Sequence, residues 1–154
     1  MSATFMAPTI AVVDTCVLLA AFNRKDADHE RAVGALTTAR ILMVSPMVLT
    51  ELDHLLTARV GERAAVEAVT RLGALARTGA LQIAAVDGAI LSEAEALMRK
   101  YMGQALGLAD TINAALAWRL QRPLILSTDH HYTDVLTPRT HGERRLEVVP
   151  GPAR

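Results

Sequence analysis

The chain has 154 residues, 51% of them hydrophobic and 3% aromatic, with a formal net charge of zero. That length fits one domain, 1–154, whose core must be built from Ala, Val, Leu and Ile. The balanced charge counts against a general-purpose nucleic-acid binder, and the single Cys16 excludes an intrachain disulfide and fits a reducing cytoplasm.

The first strand is predicted over Thr9–Asp14, a β-branched and nearly continuous apolar run. Short helices follow over Val17–Phe22 and Asp26–Ala39, then a second strand over Ile41–Ser45. Ser45-Pro46 supplies an N-cap and a first-turn proline for a helix that runs to about Val60, where Gly61 breaks it. Glu62–Thr78 is the next helix, stopped by Gly79. Leu81–Val86 is a third strand, and Asp87 caps a helix that reaches about Met102. After a loop at Gly103–Gly107 comes a strong helix, Leu108–Gln121, ended by Arg122-Pro123. Pro123–Ser127 and Arg145–Val149 are the last two strands, and Pro150–Arg154 reads as a frayed tail. The core therefore spans about 10–149. Met1–Pro8 lacks a basic stretch followed by a long apolar run, and no segment approaches the ~20 apolar residues of a membrane span. A soluble, cytoplasmic protein is expected.

Apolar strands alternating with helices imply an α/β fold, a parallel sheet of four to five strands covered on both faces. Ligands of such sheets bind beyond the carboxyl ends of the strands. Asp14 closes the first strand and Asp129 sits just past the fourth, so both emerge on that edge. Asp14 caps the next helix or binds a cation, with the Thr15 hydroxyl beside it. Glu51 falls among Val48, Leu52 and Leu55 on its helix, where burial demands a cationic partner; the alternative is an edge position that reaches solvent. Asp110 occupies a first helical turn, favoured there by the dipole alone. Asn113, Ala114 and Ala117 on its face are small and leave room for an ion. Asp129 is either a turn residue or a fourth ligand. Acids from separate segments suit Mg²⁺ or Mn²⁺, hard cations that take oxygen ligands and activate water against phosphoryl groups.

Four segments carry a resemblance: Val13–Ala20 (VDTCVLLA), Ser45–Leu56 (SPMVLTELDHLL), Leu108–Ala117 (LADTINAALA) and Leu124–Tyr132 (LILSTDHHY). Together, in this order and across Ile10–Val149, they resemble the motif blocks of PIN-domain nucleases. The single-domain length is similar to that of VapC-type toxins of toxin–antitoxin pairs. The resemblance implies a three-layer α/β/α fold and a Mg²⁺- or Mn²⁺-dependent endoribonuclease. It implies metal binding at Asp14, Glu51, Asp110 and Asp129, with Thr15 and Ser127 as supporting hydroxyls. It further implies an RNA substrate, a homodimer and a cognate antitoxin whose tail covers the acidic pocket.

Other readings carry less. Asp129-His130-His131 spells the DHH phosphoesterase signature, but at the wrong end of the chain, so both histidines are read as loop residues. His29, His54 and His141 are expected to face solvent. Gly103 and Gly107 form no nucleotide fingerprint. A receiver-like phosphoacceptor site would need a late lysine that the last two strands lack. Arg24 and Lys25 are the candidate contacts to the RNA backbone. A housekeeping or DNA-acting nuclease and a metal-poor binding module stay open as alternatives to the toxin.

Overall fold

The computed structural model describes residues 9–154; the reading of residues 1–8 lies outside them. β1 (Ile10–Val13), α1 (Thr15–Ala21), α2 (His29–Leu36), β2 (Ile41–Val44), α3 (Pro46–Arg59) and α4 (Glu62–Thr78) form the first half. β3 (Leu81–Ile83), α5 (Gly88–Lys100), α6 (Leu108–Trp118), β4 (Leu124–Ser127) and β5 (Glu147–Pro150) complete it, with a π-helical turn at His131–Val135. The strands form one five-stranded parallel sheet in the order β3-β2-β1-β4-β5. Strand order reverses beside β1, so the carboxyl ends of β1 and β4 lie side by side at the crevice where such sheets bind ligands.

Two apolar layers explain the sandwich. Ala11, Val13, Leu42, Val44, Leu124 and Leu126 face α1–α4 in one cluster. Val12 and Ile125 face the opposite way, against α5, α6 and Tyr132. Central strands therefore bury both faces, which is why they read as solid apolar runs rather than alternating ones.

Local chemistry sets the helix ends. Ser45 Oγ accepts from Met47 N at 3.1 Å, with Pro46 in the first turn of α3. Asp87 Oδ1 accepts from Ile90 N at 3.0 Å to open α5. α4 ends at Gly79, whose φ of 81° an L side chain rarely adopts.

Several boundaries differ from expectation: β3 stops at Ile83 and α6 at Trp118, short of Val86 and Gln121. α1 begins at Thr15, directly after its cap Asp14; α2 starts late because the segment before it folds into turns held by Asp28 N to Asp26 Oδ1 at 2.9 Å, and it stops at Leu36, where Thr37 N and Thr38 N turn back to Gly34 O and Ala35 O. β5 sits further along the chain, where Val148 and Val149 pair with Ile125 and Leu126. Pro150 and Gly151 are not a frayed tail. Gly151 is buried, donates to Ser127 O at 3.0 Å, and accepts from Arg31 Nη2 at 2.7 Å.

Candidate metal centre

Asp14 leaves β1 with its N–H bonded to Leu126 O of β4 at 2.9 Å, which seats its side chain at the join of the two strands. The carboxylate is 5% exposed. Its Oδ1 accepts from Thr15 N at 2.9 Å, and its Oδ2 accepts from Ser127 Oγ at 2.8 Å. The expected cap is present, and the same side chain also faces the acidic cluster. Burial lifts its pKa from 3.8 to about 6, opposed by the Ser127 hydrogen bond and reinforced by the charge of Asp110.

Ser127 links two acids. Its hydroxyl donates to Asp14 and accepts from Asp129 N at 2.9 Å. Asp129 Oδ1 in turn accepts from His131 N at 2.9 Å and lies 2.7 Å from His131 Nδ1, while His131 Nε2 lies 2.8 Å from Gln104 O. His131 is therefore no free loop residue. Burial disfavours its charged form, but the Gln104 carbonyl and the Asp129 carboxylate outweigh that and raise its pKa. His29, also expected in solvent, is half-buried with Nδ1 2.8 Å from Ala20 O; His54 and His141 are exposed.

Asp110 sits at the start of α6, where its Oδ2 accepts from Gly107 N at 3.0 Å. Burial raises its pKa, countered by that N–H and increased by Asp129 and Glu51. One carboxylate oxygen from each of Asp14, Asp110 and Asp129 lies within 4.8 Å of the others. Carboxylates at that separation repel one another unless a cation lies between them.

Glu51 stands apart from the three. It is exposed on α3, because Val48, Leu52 and Leu56 point inward and leave it at the margin of the stripe. Its charge still reaches Asp110. Ala114 and Ala117 are fully buried and line the core, where they let α6 pack on the sheet. Arg24 and Lys25 are exposed after α1.

A divalent cation fits these residues. Three oxygen-bearing acids converge, and the buried Thr15 Oγ1 beside Asp14 has no hydrogen-bond partner among the described residues. Cys16 Sγ lies 3.4 Å from Asp14 Oδ2 and 3.3 Å from Ser127 Oγ, with its thiol pushed up to about 11 by burial and by Asp14. It is inert as a nucleophile at neutral pH.

Asn113, expected only as a small neighbour of Asp110, and Tyr132, given no role, both reach the acids. Asn113 Nδ2 lies 3.3 Å from Asp14 Oδ1 and 3.3 Å from the Tyr132 hydroxyl, which lies 3.4 Å from Asp110 Oδ1. Asn113 had a legible signal: it is a lone amide in a run of apolar residues, and a buried amide needs partners. Tyr132 had none, because the π-helical turn that aims it inward follows no apolar period.

A family model for the PIN domain matches residues 11–135. The chain is 34% identical over 140 residues to Ribonuclease VapC26 of Mycobacterium tuberculosis, covering 90% of this chain and 99% of that one. The crystal structure of Mycobacterium tuberculosis VapC20, described as a Sarcin-Ricin loop cleaving toxin, superposes with a TM-score of 0.70 at 24% identity, covering 81% of this chain and 93% of that one. VapBC2 of Rickettsia felis, solved on a DNA fragment from its promoter, gives a TM-score of 0.60 at 15% identity, covering 90% of this chain and 96% of that one. The parallel sheet, the acidic cluster at its switch point and these matches agree, and the chain belongs to the PIN-domain family.

Proposed function

We propose that this protein is a Mg²⁺- or Mn²⁺-dependent endoribonuclease, the toxin of a VapBC-type pair, whose substrate is RNA and whose inhibitor is a cognate antitoxin. The observation that carries the reading is the convergence of Asp14, Asp110 and Asp129 at the carboxyl ends of β1 and β4, in a chain with 34% identity to a VapC ribonuclease.

Asp14 and Asp110 would hold the ion directly, with Asp129 as a third ligand and the exposed Glu51 at the rim orienting water. When bound, such an ion supplies Lewis-acid stabilisation of charge on the phosphoryl group and lowers the pKa of water. The chain's own residues fix the geometry. Ser127 and the Thr15 N–H hold Asp14 in one rotamer, and the Gly107 N–H holds Asp110. His131 is engaged by Asp129 and Gln104, so it orients an acid rather than serving as a base. Among the described residues no helix is long and apolar enough to cross a membrane. A cytoplasmic site of action and a homodimer are part of this reading, and light scattering measures the latter directly.

The test is cleavage of a mixed RNA pool with Mn²⁺. Cleavage that EDTA abolishes and Mn²⁺ restores is expected; a folded protein that binds no Mn²⁺ would sink the metal-nuclease reading and leave a binding module. Arg24 and Lys25 are proposed to touch the RNA backbone. Replacing both with Ala should raise KM and flatten the salt dependence by roughly two phosphate contacts, with kcat little changed. An unchanged salt slope would remove them from the RNA path.

A further inference from the structure

Asn113 and Tyr132 lie outside the carboxylate set, yet both are completely buried against it. Chemistry fixes the direction of each hydrogen bond between them. Ionised carboxylates only accept, and the two amide hydrogens of Asn113 only donate. One therefore goes to Asp14 Oδ1 and the other to the Tyr132 oxygen, and the Tyr132 O–H is left to donate to Asp110 Oδ1. The result is one continuous path from Asp14 through Asn113 and Tyr132 to Asp110, assembled from the end of β1, from α6 and from the π-helical turn after β4.

The residue types matter as much as the distances. A lysine or arginine in this place would neutralise the two acids and compete with a divalent ion. An aliphatic pair would leave Asp110 Oδ1 without a protein donor and Asp14 Oδ1 with the Thr15 N–H alone, which is costly. An amide and a phenol satisfy those oxygens and add no positive charge. The negative charge of the cluster is kept for the ion, and the spacing of Asp14 and Asp110 is set from behind.

We propose that Asn113 and Tyr132 form a neutral hydrogen-bond bridge that holds Asp14 and Asp110 at metal-binding separation, each acting as a positioning residue. The proposal rests on the metal-site reading above. Tyr132→Phe removes the hydroxyl and keeps the ring, which packs in the core cluster with α6 and the sheet; Asn113→Leu removes both donors at similar volume.

The experiment is calorimetric titration of each purified full-length protein with Mn²⁺ alone, beside RNA cleavage at rising Mn²⁺. Each variant should weaken the Mn²⁺ Kd by about tenfold, the scale on which groups that orient metal ligands act. The double variant should lose less than the product of the two, because the pair shares one bond. Cleavage by Tyr132→Phe should recover at saturating Mn²⁺ with the KM for RNA unchanged. A merely structural role would lower the melting temperature and leave the Mn²⁺ Kd alone. A folded Tyr132→Phe, or a folded Asn113→Leu if the former fails to fold, that binds Mn²⁺ within about twofold of wild type would overturn the bridge. Wild type that binds no Mn²⁺ would overturn the bridge and the metal site together.

Discussion

Asp14→Asn is expected to abolish RNA cleavage while making the metal-free protein more stable. The two effects share one cause. Asp14 is held at the join of β1 and β4 with little access to water, and burial lifts its pKa from 3.8 to about 6. At neutral pH the folded protein therefore carries an ionised carboxylate in a site that disfavours charge. That rise corresponds to about 3 kcal/mol, an order-of-magnitude figure for what the neutral amide would recover. Asparagine keeps the hydrogen bond from Thr15 N, and the Ser127 hydroxyl can rotate to accept from the new amide. On the proposed reading, catalysis loses a ligand of the ion. Several kcal/mol of transition-state stabilisation goes with it, so the rate should fall by roughly a thousandfold. Asp110→Asn should cut cleavage on the same scale. Urea unfolding in EDTA, beside the Mn²⁺ cleavage assay, reads both effects. Residual cleavage above about a tenth of wild type in both variants would remove these acids from the reaction.

Mn²⁺ affinity should fall as the solution is made acidic, by about tenfold per pH unit below about 6 for each proton displaced. Burial raises Asp14 to about 6 and also raises Asp110. Both folded values lie above those of the unfolded chain, so the metal-free fold binds protons more tightly than the unfolded state does. The stability these groups contribute is thus fully present below the ordinary carboxylate range and is lost as pH rises through about 6. Glu143 and Glu147, whose pKa values are lowered against Arg139 and Arg122, act in the opposite sense at lower pH. The difference between wild type and Asp14→Asn isolates the buried acid from them. Mn²⁺ calorimetry from about pH 5 to about pH 8 tests the ligand side. A Kd that stays flat across that window would mean that no buried carboxylate loses a proton on binding.

What was legible in the chain was local. Ser45-Pro46, Asp87 and Gly79 announced helix ends because a cap is satisfied within three or four residues of itself. The solid apolar runs of β1, β2 and β4 announced strands buried on two faces. Stripe counting failed at Glu51. The positions around it are apolar in sequence, but only contact with the sheet decides that Val48, Leu52 and Leu56 turn inward and Glu51 does not. The last residues were misjudged for a similar reason: Gly151 is ordered by Ser127 and Arg31, partners far away along the chain.

By itself the sequence determined the class of fold, the edge of the sheet on which the acids emerge, and three of the acids that meet there. Alternation, capping and strand-end position are short-range properties, and each is written within a few neighbouring residues. Only the tertiary structure decided which groups touch. Placing β1 beside β4 brings Asp14 to Ser127 across 113 positions, and packing α6 on the sheet brings Asn113 to Asp14 across 99. The burial that shifts Asp14, the inward aim of Tyr132 and the exposure of Glu51 all follow from that packing, because desolvation is set by what covers a side chain and not by its neighbours in sequence.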